Sequence, residues 1–180
     1  HTKAVRRSEP LDEYTRALKA EIAAVARRSP AHGVTHIHWG GGTPSLLGPA
    51  RFLELAETLQ AQFDFSHLVE HAIELDPRTV DEPLVAALAK GGINRASLGV
   101  QDLNLHVQEA IGRVQPYEIV VKAVELLRGA GIEAINLDLM YGLPHQTLDD
   151  VRETARKAAA LNPSRLAIFG YAHVPWFKTH

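Results

Sequence analysis

The sequence predicts an α/β fold: an open, curved parallel sheet of about five strands with helices on its convex side only. Three observations carry this. Strand-like runs alternate with helical patterns along the chain, the signature of a parallel sheet with crossover helices. Each strand-like run has a polar face, which a doubly wound sheet covered by helices on both sides would not tolerate. Nor does that face suit a closed eight-stranded barrel, whose interior is filled by Val, Ile and Leu.

The first helix is expected between about residues 10 and 28, where Leu11, Tyr14, Leu18, Ile22 and Val25 recur at helical spacing before Ser29-Pro30. The strand-like runs are residues 34–40, 68–75, 95–100, 133–140 and 165–171. After the first of them, Gly48-Pro49 opens a helix, glycine suiting the N-cap and proline the first helical position. Asp81-Glu82-Pro83 opens the next. Pro116 opens a helix over residues 117–128, which Gly129 and Gly131 close. Thr147 caps a last helix over residues 148–161, where Asp149 and Asp150 complement the positive helix end. No repeat, low-complexity tract or linker divides the 180 residues, and one domain is expected.

Residues two apart on a strand share a face. Ile135, Leu137 and Leu139 therefore oppose Asn136 and Asp138, and Ile73 and Leu75 oppose Glu74 and Asp76. Leu98 and Val100 oppose Ser97, Gly99 and Gln101. His36 and His38 oppose Ile37 and Trp39, while Tyr171 and His173 oppose Gly170 and Ala172. Together the polar faces line a concave wall, densest at the C-terminal strand ends, that a polar ligand would fill.

Composition narrows the function. The chain carries 19 Lys and Arg against 21 Asp and Glu, a net charge of −2, without the clustered basic surface that nucleic acid requires. Apolar runs break off within about ten residues, too short to span a bilayer. No signal peptide precedes the first helix, so a cytoplasmic setting is the default. There is no cysteine, which excludes disulfides, thiolate catalysis and a cysteine-ligated metal within these residues.

The stretch HIHWGGGTPS, residues 36–45, admits two chemistries. His36 and His38 could begin a zinc hydrolase site of the amidohydrolase type, which also needs later histidines and an aspartate. Asp138 could serve, but no strand-end histidine follows on the second, third or fourth run, so hydrogen-bonded histidines in the concave wall are expected. GGGTP is neither a dinucleotide fingerprint, since its helix starts only at Gly48, nor a phosphate loop, since no Gly-Lys-Ser/Thr follows. It is either a turn needing positive φ or a stretch of open backbone whose carbonyls accept hydrogen bonds from an ammonium group. Glu74, Gln101, Arg113 and Asp138 complete the candidate set. Carboxylates and a guanidinium suit ribose hydroxyls, an ammonium and a carboxylate, and so an amino-acid-bearing nucleoside. No catalytic residue and no metal ligand are assigned.

The motifs HWGGGTPS, IELDPR, GVQDLNLHVQEAIGRVQ, NLDLMYGLPHQT and FGYAHVPWFKTH occur in this order. Over essentially the whole chain they resemble the core of the oxygen-independent coproporphyrinogen III oxidases, radical S-adenosylmethionine (SAM) enzymes of haem biosynthesis. The resemblance implies an open partial (β/α) barrel of the radical SAM type. It places the methionine end of SAM on Gly41, Gly42 and Thr43, and brings Glu74, Gln101, Arg113, Asp138 and Ala172 to the same cofactor, Ala172 by a backbone contact near the adenine. It implies a 4Fe-4S cluster that cleaves SAM, a radical that takes hydrogen from the propionates of coproporphyrinogen III, and loss of carbon dioxide to give protoporphyrinogen IX. An external electron donor is implied as well.

The chain departs from the family in lacking the C-x-x-x-C-x-x-C cluster motif. HTKAVRR resembles the segment just after that motif. Residues 1–180 are therefore expected to be a partial core domain cut at both ends, without the first strand, its cysteines or the C-terminal domain, and inactive alone. Two alternatives stay open: the haem-chaperone branch of the superfamily, which shares GGGTPS and YGLP-x-QT, and a cluster-less tetrapyrrole-binding protein.

Overall fold

The computed structural model describes residues 8–29 and 33–172. Its elements are α1 (Ser8–Arg28), β1 (His36–Trp39), α2 (Gly48–Gln62), β2 (Glu70–Leu75), α3 (Glu82–Lys90) and β3 (Arg95–Gln101). There follow α4 (Leu105–Ala110), α5 (Tyr117–Gly129), β4 (Ala134–Tyr141), α6 (Leu148–Ala160) and β5 (Arg165–Gly170). The five strands are all parallel and stand in chain order, β1-β2-β3-β4-β5. His173, assigned from sequence to the polar face of the fifth run, lies outside the described residues, as do HTKAVRR and the PWFKTH ending.

Register carries the polar parity across the sheet. Glu74 aligns with Ser97 and Ser97 with Asn136, while Gly99 aligns with Asp138. The opposite parity is apolar: Ile73, Leu98, Ile135 and Leu137 are almost wholly buried. They pack with Phe52 of α2, Leu84 and Leu88 of α3, and Val120, Val124 and Leu127 of α5. Each fully buried Val, Leu, Ile or Phe contributes about 1.5–3 kcal/mol, so the helices stay on this convex side and the concave side is left to polar groups. At the N-terminal end of the concave wall, Arg95 Nε donates to Glu70 Oε2 at 2.7 Å.

Helix starts follow local chemistry. Asp81 accepts the Leu84 N–H at 2.9 Å and caps α3. Thr147 and Asp150 form a reciprocal capping box at α6. α2 starts at Gly48-Pro49 as expected, but its N-cap is Leu47 rather than the glycine: a 3-10 turn, Pro44–Leu47, precedes it, and Gly48 at φ +74 joins the two. α4 was not expected, because six residues are too few to display a helical period. In α1 only part of the expected apolar face is covered. Ile22 and Leu18 pack with Leu47 and Leu55, whereas Tyr14 and Val25 stay exposed. Among the described residues, no helix is long and apolar enough to cross a membrane.

Candidate functional site

The C-terminal ends of β2, β3 and β4 and the loop after β1 converge on an open cavity of about 190 Å³. Of the residues singled out from sequence, Gly42, Thr43, Glu74, Gln101, Arg113 and Asp138 line it. Gly41 and Ala172 are not among the lining residues. Gly41 turns the loop at φ +90, with open space where a Cβ would stand, and Ala172 is exposed just beyond β5.

Asp138 is half-buried on β4 and held on both oxygens. Ser97 Oγ donates to Oδ2 at 2.9 Å and Asn136 Nδ2 to Oδ1 at 2.8 Å. Burial raises its pKa above the ordinary carboxylate value, with Glu74 adding to the rise and the Ser97 and Asn136 bonds opposing it. Glu74 faces the cavity from β2, and His38 Nε2 lies 2.9 Å from its Oε1. His36 Nδ1 is 3.0 Å from Thr35 Oγ1. Both histidines are thus hydrogen-bonded, as expected from the sequence. Because His38 and Glu74 are both about half exposed, water screens their pairing.

Arg113 arrives from the loop after α4. Its Nη2 donates to the Gly99 carbonyl at 2.9 Å, and its Nη1 is 3.4 Å from Asp76 Oδ2. Its Nε is buried with no partner among the described residues. Burial draws the guanidinium pKa down against the pull of Asp76. Burial would raise Asp76, but bonds from the Arg78 guanidinium and backbone N–H, with the charge of Arg113, outweigh it and hold the carboxyl low. The approach at Gly99 is close: a Cβ there would stand 3.0 Å from Gln101 Nε2 and 3.4 Å from Arg113 Nη2, and both side chains would have to shift slightly.

Leu75, Asp76, Ser97 and Gly99 also line the cavity and were not chosen from sequence. For Asp76, Ser97 and Gly99 the signal was present, since all three share the polar parity. Leu75 has the opposite parity, so alternation could not have found it. Behind the wall, Trp39 Nε1 donates to Nε2 of buried His71 at 2.7 Å, and burial keeps that imidazole's pKa low. This histidine belongs to the core.

A sheet in strict chain order, helices on one side and a carboxylate-rich cavity at the C-terminal strand ends define a class. A profile of the radical SAM superfamily matches residues 5–158, and the chain belongs to that superfamily. Among its relatives, the chain is 46% identical to the oxygen-independent coproporphyrinogen III oxidase of Bradyrhizobium diazoefficiens, over 100% of this chain and 40% of that protein. It is also 46% identical to coproporphyrinogen III oxidase, anaerobic 1, of Cereibacter sphaeroides, over 93% of this chain and 37% of the relative. The solved coproporphyrinogen III oxidase of Escherichia coli, a radical SAM enzyme, matches with a TM-score of 0.90 at 38% identity, covering 96% of this chain and 40% of that one. A radical SAM methyltransferase from Kitasatospora setae matches with a TM-score of 0.71 at 17% identity, covering 89% of this chain and 31% of that one; this likeness shows the fold alone. The chain spans about 40% of the length of the curated relatives it matches.

Proposed function

We propose that this chain is the SAM-holding part of an oxygen-independent coproporphyrinogen III oxidase. The observation that carries the proposal is the convergence of Gly42-Thr43, Glu74, Gln101, Arg113 and Asp138, from four separate motifs, on one cavity. The identity of 46% to two proteins named for this activity supports it.

The residues present fit SAM. Asp138 and Glu74 offer acceptors for ribose hydroxyls or the ammonium, and the Arg113 guanidinium, which lines the same cavity, offers a positive charge for the carboxylate. The open loop at Gly42 and Thr43 adds backbone groups. Gln101 supplies an amide that both donates and accepts. A 4Fe-4S cluster does not fit, since its ligands are thiolates and these 180 residues contain no cysteine. The cluster and SAM supply the one-electron chemistry when bound; this chain's residues bind and orient SAM. Propionate decarboxylation of coproporphyrinogen III, an external electron donor and a cytoplasmic setting belong to the same proposal.

The test extends the chain at both ends, with a C-x-x-x-C-x-x-C segment upstream and the expected C-terminal domain downstream, reconstitutes it with iron and sulfide without oxygen, and adds SAM, a reductant and coproporphyrinogen III. Carbon dioxide and protoporphyrinogen IX are expected. A cluster that cleaves SAM yet never decarboxylates coproporphyrinogen III would overturn the oxidase assignment in favour of the haem-chaperone branch.

A further inference from the structure

β3 ends irregularly. Gly99 pairs with Asp138, but the next pair is Gln101 with Leu139, so Val100 is bulged out of the ladder. Gln101 takes φ +66, a conformation that costs of order 1–3 kcal/mol for a residue with a side chain and persists only where its surroundings hold it. Such irregularity removes ladder partners from the strand end, and here side chains replace them. Gln115 Nε2 donates to the Val100 carbonyl and, at 3.4 Å, to that of Gly99.

Gln115 is itself held. Gln108 Nε2 donates to the carbonyls of Asp102 and Gln115, both at 2.9 Å, and Gln108 Oε1 accepts the Gln115 N–H at 3.0 Å. Gln115 is 0% exposed and Gln108 2%. Neither lines the cavity, while Gln101 and Arg113, in the same stretch of chain, both do. Glutamine is mostly a surface residue, and two buried amides that bond to backbone on either side of a bulge have a geometric task.

We infer that Gln108 and Gln115 are positioning residues: a pair of buried amides that clamp the bulge at the end of β3 and so aim Gln101 and Arg113 into the cavity. The inference rests on the assignment of that cavity to SAM. Methionine in place of Gln115 keeps the volume and removes both donors. The Val100 carbonyl then loses its side-chain donor, while Gly99 keeps that of Arg113; the bulge relaxes and Gln101 leaves its left-handed conformation.

The test is Gln115→Met in the 180-residue protein, read by SAM calorimetry and by backbone amide exchange. SAM affinity is expected to fall about 10-fold, because the relaxed Gln101 must be returned to its left-handed conformation on binding. Exchange is expected to quicken at residues 100–102 while residues 135–139 of β4 stay protected. In a Gln101→Ala background the same substitution should cost clearly less affinity, because the two act through one element. Gln108→Met, which leaves the Gln115 donors in place, should show the same pattern and serves if Gln115→Met does not fold. Unchanged exchange at 100–102, or affinity losses that simply add, would overturn the clamp. If Gln101→Ala and Arg113→Ala both left SAM affinity intact, the assignment of the cavity would fail instead, and the exchange measurement would still judge the clamp.

Discussion

Asp138→Asn separates ligand binding from folding at one atom. The carboxylate receives Ser97 and Asn136 and still has acceptor capacity toward the cavity. The substitution keeps the shape and removes the charge. One oxygen remains for Asn136, and the new NH2 faces Ser97 Oγ, a hydroxyl with two lone pairs. A hydrogen bond to a charged group is worth about 1.5–3 kcal/mol, which is roughly 10- to 150-fold in affinity. SAM calorimetry on the purified protein should show a loss in that range. Stability should move the other way. Burial raises the pKa of Asp138 in the folded state, so between the unfolded and folded values the native protein holds the proton more tightly. The contribution of this group to stability is therefore fully present in acid and is lost as pH rises through the folded pKa. Asparagine is neutral throughout and escapes that loss. The variant should melt at the same temperature as the native protein, or higher, at pH 7, with the difference shrinking as pH falls toward 4. Undiminished SAM affinity would remove Asp138 from the site, and a melting temperature well below wild type at pH 7 would refute the account of its burial.

Glu74→Gln should weaken SAM by a similar roughly 10- to 150-fold, with little change in melting temperature because its His38 partner is solvated. Gly41→Val should abolish SAM binding: a branched residue at φ +90 costs of order 1–3 kcal/mol, and turning the loop to relieve it moves Gly42 and Thr43. Normal binding by that variant would reduce the glycine run to a turn. Iron and sulfide added to the 180-residue protein should give no charge-transfer absorbance, since no thiolate is present to hold a cluster; a brown protein would contradict this. Leu98→Ala, at a fully buried position in the centre of the sheet, should cost about 2–5 kcal/mol by denaturant titration.

Much of the site could be read from alternation alone. Ser97 on β3 and Asn136 and Asp138 on β4 fall on the wall because side chains on a strand change face at every residue, and register then brings neighbouring strands into line. Alternation fails where the ladder does. It put Gln101 on the wall by regular pairing, whereas the structure reaches the same cavity through a bulge and a positive φ. Gln108, Gln115 and Gln146 could not be read as a network, because they bond to backbone and to Asp102 across the β3, α4 and β4 connections. Polarity marks such residues, but only the fold reveals their partners. The 3-10 turn at Pro44–Leu47 was hidden for another reason: Gly48-Pro49 is a strong start signal, and it masked the turn before it.

The chain-order sheet has a consequence for how the molecule is made. Each strand pairs with the one synthesised just before it, and no strand waits for a distant partner. Sequence separation between contacting segments governs folding speed, and parallel sheets are slow mainly because their partners are remote. Here every pairing spans one helix-bearing crossover. β2 can dock on β1 while β4 is still unmade, and a nascent chain can bury Leu98 against Leu75 before Leu137 arrives to cover the other flank. Growth proceeds from one edge, as in a stack of repeats. A ribosome-bound series of increasing length should therefore gain protection from proteolysis in steps, one for each strand added.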